Sequence, residues 1–167
     1  MMPSLALELP VHYLKPAEIF ISDQPTLVTT TLGSCVSVVF FHRRPRLGAI
    51  CHALLPSSHE SDDKFKFVDS SIAWMLDHFI VRGLKPSQLQ VKLFGGSDML
   101  ESFREQSSAT IGQQNIHKAL EIFKDRGLQI TSSNVGGIYG RKIFFYTHTG
   151  KILLKRIKKA CWLDQGK

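Results

Sequence analysis

Two stretches of the chain repeat apolar residues at steps of three and four. Val68, Ile72, Met75, Leu76, Phe79 and Ile80 form one stripe, and Ile116, Ala119, Leu120 and Phe123 form another. Both patterns predict amphipathic helices, the second near 112–126. Each run closes on the same tripeptide, at Arg82-Gly83-Leu84 and Arg126-Gly127-Leu128. There the glycine ends the helix and the leucine supplies the apolar contact beyond it, with Pro86 stopping the first helix. Elsewhere the apolar residues fall in shorter runs rich in β-branched and aromatic side chains. These predict strands at 17–22, 27–31, 35–42, 47–55, 89–94, 128–131, 141–147 and 151–157, with a polar loop over 56–64. The order helix, Arg-Gly-Leu, strand, Gly-Gly occurs at 68–96 and again at 113–137, but too few residues match to make it a repeat. Many strands and two solid helices predict an α+β fold in which helices cover sheet layers.

The strands at 35–42 and 47–55 carry the candidate chemistry. They are joined by Arg43-Arg44-Pro45-Arg46. A hairpin with that loop pairs His42 with Leu47, so Cys35 opposes Leu54 and His52 opposes Ser37. Alternation then places Cys35, Ser37, His52 and Leu54 on one face, with Cys35 and His52 as diagonal neighbours. Gly33 and Ser34 form the turn that feeds the strand. A thiol at such a turn is open to reaction, and backbone N–H groups around 33–35 can face a developing oxyanion. His52 is the base that a thiol needs at neutral pH. A loop one residue shorter would put the two on opposite faces, so the dyad depends on the register. Cys51 points away from the face that His52 uses, and His42 lies on the other face at the far end; both are poorer candidates.

Several blocks carry a resemblance through their order and spacing. They are Thr29 with Leu32-Gly33-Ser34-Cys35-Val36; Gly48-Ala49 leading to His52 and Leu55-Pro56; Lys92-Leu93-Phe94-Gly95-Gly96-Ser97-Asp98-Met99; Ile111-Gly112-Gln113-Gln114-Asn115; and Gly136-Gly137-Ile138-Tyr139-Gly140-Arg141-Lys142. From Thr29 to Ile157 the chain resembles the CheD family of chemoreceptor glutamine deamidases. The resemblance implies a layered α/β sandwich of mixed β-sheets, with the whole chain, 1–167, as one deamidase domain. It implies Cys35 as nucleophile, His52 as its base and Thr29, six residues before the cysteine, as the group that orients the imidazole. Gly33 and Ser34 would support the oxyanion, and Gly95, Gly96, Asn115, Gly136 and Gly137 the substrate site. The implied substrates are glutamines on the cytoplasmic domains of chemoreceptors, with glutamate methyl esters accessible through the same acyl-enzyme. The implied partner is a CheC-type response-regulator phosphatase. Asn134 departs from the pattern, since the family commonly has aspartate there. A non-catalytic adaptor that binds receptors or the phosphatase is the alternative reading.

Composition narrows the remaining classes. The chain has 167 residues, 43% of them apolar, enough for one domain with a proper core. The N-terminus has no basic start and its short apolar run is broken by Glu8, unlike a signal peptide. No stretch is long enough to cross a bilayer. Three cysteines without framework spacing argue against a disulfide scaffold and for a reducing cytoplasm. The net charge of +7 is unevenly placed: residues 1–140 balance, and residues 141–167 hold Asp164 as their single acid. This basic hairpin and tail suit an acidic partner surface or a solvated face. No nucleic-acid motif or stacking platform accompanies it. Cys51, His52 and His59 lack metal-site spacing, and no cofactor or metal is expected. Gly136-Gly137 precedes β-formers rather than a helix, so a phosphate loop is not expected there either.

Overall fold

The protein is described by a computed structural model over residues 8–59, 63–99 and 108–158. The strands are β1 (Val11–Tyr13), β2 (Ile19–Ser22), β3 (Leu27–Leu32), β4 (Val36–His42), β5 (Leu47–Cys51), β6 (Gln90–Gly95), β7 (Ile130–Val135), β8 (Gly140–Tyr146) and β9 (Ile152–Ile157). The helices are α1 (Val68–Val81) and α2 (Ile111–Asp125). A four-stranded sheet runs β1-β3-β8-β9 and a five-stranded sheet runs β2-β5-β4-β6-β7. Both are mixed: β1 pairs parallel with β3, and β6 with β7, while the other ladders are antiparallel. None of the described helices is long and apolar enough to cross a membrane.

The layering follows from which faces are apolar. Val28, Leu32, Ile143 and Phe145 of the four-stranded sheet pack on Val39, Ile50 and Phe94 of the five-stranded sheet. The other face of the five-stranded sheet, with Val36, Val38, Phe40, Ala49, Cys51, Val91 and Leu93, packs on Ile72, Met75 and Phe79 of α1 and Ala119 and Phe123 of α2. The sequence pattern therefore reads correctly as an α+β layered sandwich. Strand β4 lies in the middle layer and is buried at every position, which is why its apolar run shows no alternation. Both helices end as the tripeptides predict. Leu84 N–H donates to Phe79 O and Leu128 N–H to Phe123 O, closing the last turns. At the start of α2, Thr110 Oγ1 accepts from Gln113 N–H while Gln113 Oε1 accepts from Thr110 N–H, a capping box.

The β4–β5 register is the one expected. His42 pairs with Leu47, Phe40 with Ala49 and Val39 with Ile50, and the same alignment resumes at Val36↔Ala53. Beyond Cys51 the chain leaves the regular ladder: His52 N–H donates to Glu18 O, and Ala17 N–H donates to His52 O. Two expectations change. The strand placed at 128–131 forms as β7, beginning at Ile130 and reaching Val135 beside β6. Strand β1 was not foreseen, because its three residues are largely exposed and gain their order from pairing with β3.

Candidate active site

Leu32 ends β3 in one sheet and Val36 begins β4 in the other, so Gly33-Ser34-Cys35 is the step between layers. All three of its carbonyls are held from outside. Ser97 N–H donates to Gly33 O at 2.9 Å, and Gly96 N–H to Cys35 O at 2.9 Å. Asn115 Nδ2 donates to Ser34 O at 3.0 Å and to Leu54 O at 2.9 Å. The N–H groups of Ser34 and Cys35 donate to no backbone carbonyl among the described residues. Gly95 makes the close approach possible: its φ is +103°, and a Cβ there would collide with Cys35 O. Gly96 is pressed in the same way against Ile116 and Gly112 O. Gly95 is thus a backbone requirement of the Gly33-Ser34-Cys35 turn, and Gly96 of the packing of α2 beside it.

His52 is 3% exposed. Its Nδ1 lies 2.8 Å from Thr30 Oγ1, and the same hydroxyl donates to Leu14 O at 2.8 Å. A hydroxyl has one proton to give. With that proton on Leu14 O, the oxygen accepts from His52, so Nδ1 carries hydrogen and Nε2 presents a lone pair. Burial lowers the imidazole pKa to about 4, against smaller upward pulls from Glu18 and the Leu14 backbone. Burial pushes the Cys35 thiol up, only partly offset by its own backbone N–H. The resting pair is therefore a neutral thiol and a neutral imidazole.

Cys35 and His52 open on one cavity of about 760 Å³, with Gly33 and Ser34 on its wall. Thr110, Ile111 and Gly112 bring the first turn of α2 to the same space, where the positive end of the helix dipole favours anionic sulfur or oxygen. Ser97 also lines it; its hydroxyl is buried and makes no hydrogen bond among the described residues. A buried hydroxyl without a partner is costly unless a ligand satisfies it.

Of the residues expected at the site, Cys35, His52, Gly33 and Ser34 converge, and Gly95, Gly96 and Asn115 brace them from behind. Thr29 does not converge. It is half-buried on the outer face of β3, while Val28, Thr30 and Leu32 point between the sheets. Thr30 therefore holds the place against His52 that was expected of Thr29. Strand β3 belongs to the facing sheet and reaches His52 across the sandwich. The alternation Val28-x-Thr30-x-Leu32, apolar on both sides of the threonine, is the signal that singles out Thr30. Ser97 and Thr30 are the residues that sequence reasoning passed over. Gly136 and Gly137 lie one step away: Gly136 N–H donates to Gly95 O, and Asp98 N–H to Gly137 O. Cys51 faces the helices, is fully buried, and accepts from Val38 N–H at 3.4 Å. Burial pushes its thiol up to about 12, so it is no nucleophile. Cys161 lies outside the described residues.

A family model described as CheD chemotactic sensory transduction matches residues 54–156. The probable chemoreceptor glutamine deamidase CheD 2 of Geobacter sulfurreducens is 52% identical over 92% of this chain and 94% of its own length. The probable chemoreceptor glutamine deamidase CheD of Oleidesulfovibrio alaskensis is 38% identical, over 91% of this chain and 75% of its own. A third, CheD 1 of Methanosarcina acetivorans, is 38% identical over 79% and 82% respectively. Among solved structures, Neisseria meningitidis protein NMB0706 is similar with a TM-score of 0.49 at 13% identity, covering 90% of this chain and 76% of that one.

Proposed function

The chain belongs to the CheD family, and from that premise we propose that it is a cysteine amidohydrolase converting selected glutamine side chains of chemoreceptors to glutamate during chemotactic adaptation. The observation that carries this reading is the pairing of the Cys35 cavity with an imidazole whose Nδ1 is occupied by Thr30. The substrate carboxamide enters beside Cys35. His52 Nε2 takes the thiol proton as sulfur attacks the amide carbon, because neither group is charged at rest. The carboxamide oxygen becomes an oxyanion beside the N–H groups of Ser34 and Cys35 and the first turn of α2. Ser97 Oγ, on the cavity wall and without a partner among the described residues, is available to the amide. The imidazolium, a strong acid with a pKa of about 4, then protonates the departing nitrogen. Ammonia leaves and a thioester remains. Water, deprotonated by Nε2, adds to the thioester; collapse releases glutamate and the thiol regains its proton from His52.

A glutamate methyl ester passes through the same thioester, with methanol leaving in place of ammonia, so esterase activity follows from the same groups. A cytoplasmic location and a CheC-type phosphatase as partner belong to this reading through the family. The test is incubation with receptor cytoplasmic fragments and mapping of glutamine-to-glutamate mass shifts. Parent protein should convert discrete glutamines. Cys35→Ala should convert none, and Cys51→Ala should keep most activity. Conversion by Cys35→Ala would overturn the mechanism; receptor binding without conversion by the parent would make the protein an adaptor.

A further inference from the structure

A second cavity, of about 560 Å³, opens where the chain passes from β7 of the five-stranded sheet to β8 of the four-stranded one. Arg141 lines it and is 4% exposed. Its Nε donates to Asn134 Oδ1 at 2.7 Å, its Nη2 to Gly136 O at 2.7 Å and its Nη1 to Tyr139 O at 3.4 Å. Every one of these acceptors is neutral. A buried cation held only by neutral oxygens has no counter-charge among the described residues, which is a costly state. Arg156 stands directly opposite in the β8–β9 ladder, on the same face, and lines the same cavity. Like charges in that position repel. Burial and Arg156 both pull the Arg141 pKa down. No described carboxylate is at ion-pair distance from either guanidinium; the ion pairs among described residues join His12 to Glu18, and His117 and Lys118 to Glu121.

The place of this cavity says what would fill it. Gly136 and Gly137 bond to Gly95 O and Asp98 N–H, so the cavity's rim and the wall of the Cys35 cavity share one backbone connection. Ile138 and Tyr139 sit exposed on that rim. The surface joined to the Cys35 cavity through that connection thus carries apolar side chains and two arginines.

We infer that the Arg141–Arg156 cavity takes a carboxylate side chain of the protein whose glutamine is seated at Cys35, so that an acidic residue near the glutamine selects the substrate. This rests on the proposed deamidation. The carboxylate enters as the counter-charge, held by the exposed Arg156 and by N–H groups of Arg141 beyond the three that donate within the protein. A protein carboxylate fits better than a phosphate because the occupant must reach the cavity while its glutamine reaches the thiol.

The test is steady-state deamidation of a receptor cytoplasmic fragment by parent, Arg156→Gln and Arg156→Lys. Arg156 is exposed, and folding is checked by circular dichroism. Arg156→Gln should raise KM roughly tenfold, with the loss falling on KM rather than kcat and a shallower dependence on salt. Arg156→Lys should recover part of it. Replacing the acidic residues flanking the target glutamine by their amides should raise the parent's KM equally, and should add nothing to Arg156→Gln. An unchanged KM, or fully additive effects, overturns the inference while leaving deamidation intact. Arg156-dependent binding to phosphatidylglycerol vesicles with unchanged KM would overturn it in favour of an anionic lipid. If the parent deamidates nothing, the proposed activity fails, and direct titration of the fragment by fluorescence anisotropy decides the inference alone: equal affinity of parent and Arg156→Gln overturns it, and weaker affinity of the variant sustains it.

Discussion

One hydrogen atom decides which nitrogen of His52 does chemistry. Thr30 spends its hydroxyl proton on Leu14 O and so receives Nδ1–H, leaving Nε2 with the lone pair that the proposed mechanism uses. Thr30→Ala should lower kcat roughly ten- to a hundredfold by freeing the imidazole to turn. Thr30→Ser should restore much of the rate, though without the methyl that restricts χ1. Thr29→Ala should stay close to parent, and a larger loss for Thr29→Ala than for Thr30→Ala in initial deamidation rate would reject this assignment. Cys35 and His52 were legible from hairpin arithmetic, since a loop of fixed length fixes the pairing. The threonine was not, because counting back along one strand says nothing about which sheet that strand joins. The burial of His52 also has a stability signature. In the unfolded chain the imidazole protonates near its ordinary 6.5, and in the folded chain near 4. The unfolded state therefore binds the proton first as pH falls. Stability from this group is complete above about 6.5 and declines progressively toward 4, by up to about 3 kcal/mol. Urea midpoints measured between pH 7 and 4 should fall less steeply for His52→Asn than for the parent; parallel slopes would refute this.

At the scale of elements, α2 acts on the site through Asn115. One amide nitrogen ties Ser34 O to Leu54 O, the carbonyls flanking the Cys35–Leu54 end of the hairpin. The residue was expected to support the substrate site, and the structure shows its Nδ2 bracing the backbone beside that site. Nothing in the sequence exposes such a role, because both partners are main-chain carbonyls far along the chain. Asn115→Ala should cost about 2–3 kcal/mol, from two lost hydrogen bonds and carbonyls left buried, and should lower kcat as the turn loosens. Asn115→Asp keeps the shape but sets an acceptor against two acceptors, so it should rescue neither. A variant equal to parent in denaturation and turnover would show that the turn holds itself. Other elements were easier to read. Both helices announced themselves by spacing and by their closing tripeptides. Strand β4 was readable only as a strand, since a run buried on both faces carries no parity. The paired order of helix, Arg-Gly-Leu and strand turns out to lay β6 and β7 side by side in parallel, with α2 as the crossover between them.

For the whole molecule, the division into layers distributes the machinery. Cys35 and His52, the proposed nucleophile and base, adjoin the ends of β4 and β5 of the five-stranded sheet, and Thr30, the hydroxyl against His52, lies in β3 of the four-stranded sheet. Ile143 and Phe145 fill the space between them, while Leu93 and Val91 fill the space under the helices. Two core truncations of similar thermodynamic cost should then have unequal effects on turnover. Ile143→Ala and Leu93→Ala should each lose roughly 2–5 kcal/mol. Ile143→Ala should also lower kcat and alter the ¹⁵N shifts of His52, whereas Leu93→Ala should leave both nearer to parent. Equal effects on kcat and ¹⁵N shifts would show that spacing is irrelevant. The hydrogen bond from His52 to Thr30 thus works as a caliper across the sandwich: its jaws are the two layers, its reading is the tautomer of the proposed base, and any load that parts the layers by a fraction of an ångström should register as lost activity before it is seen as unfolding.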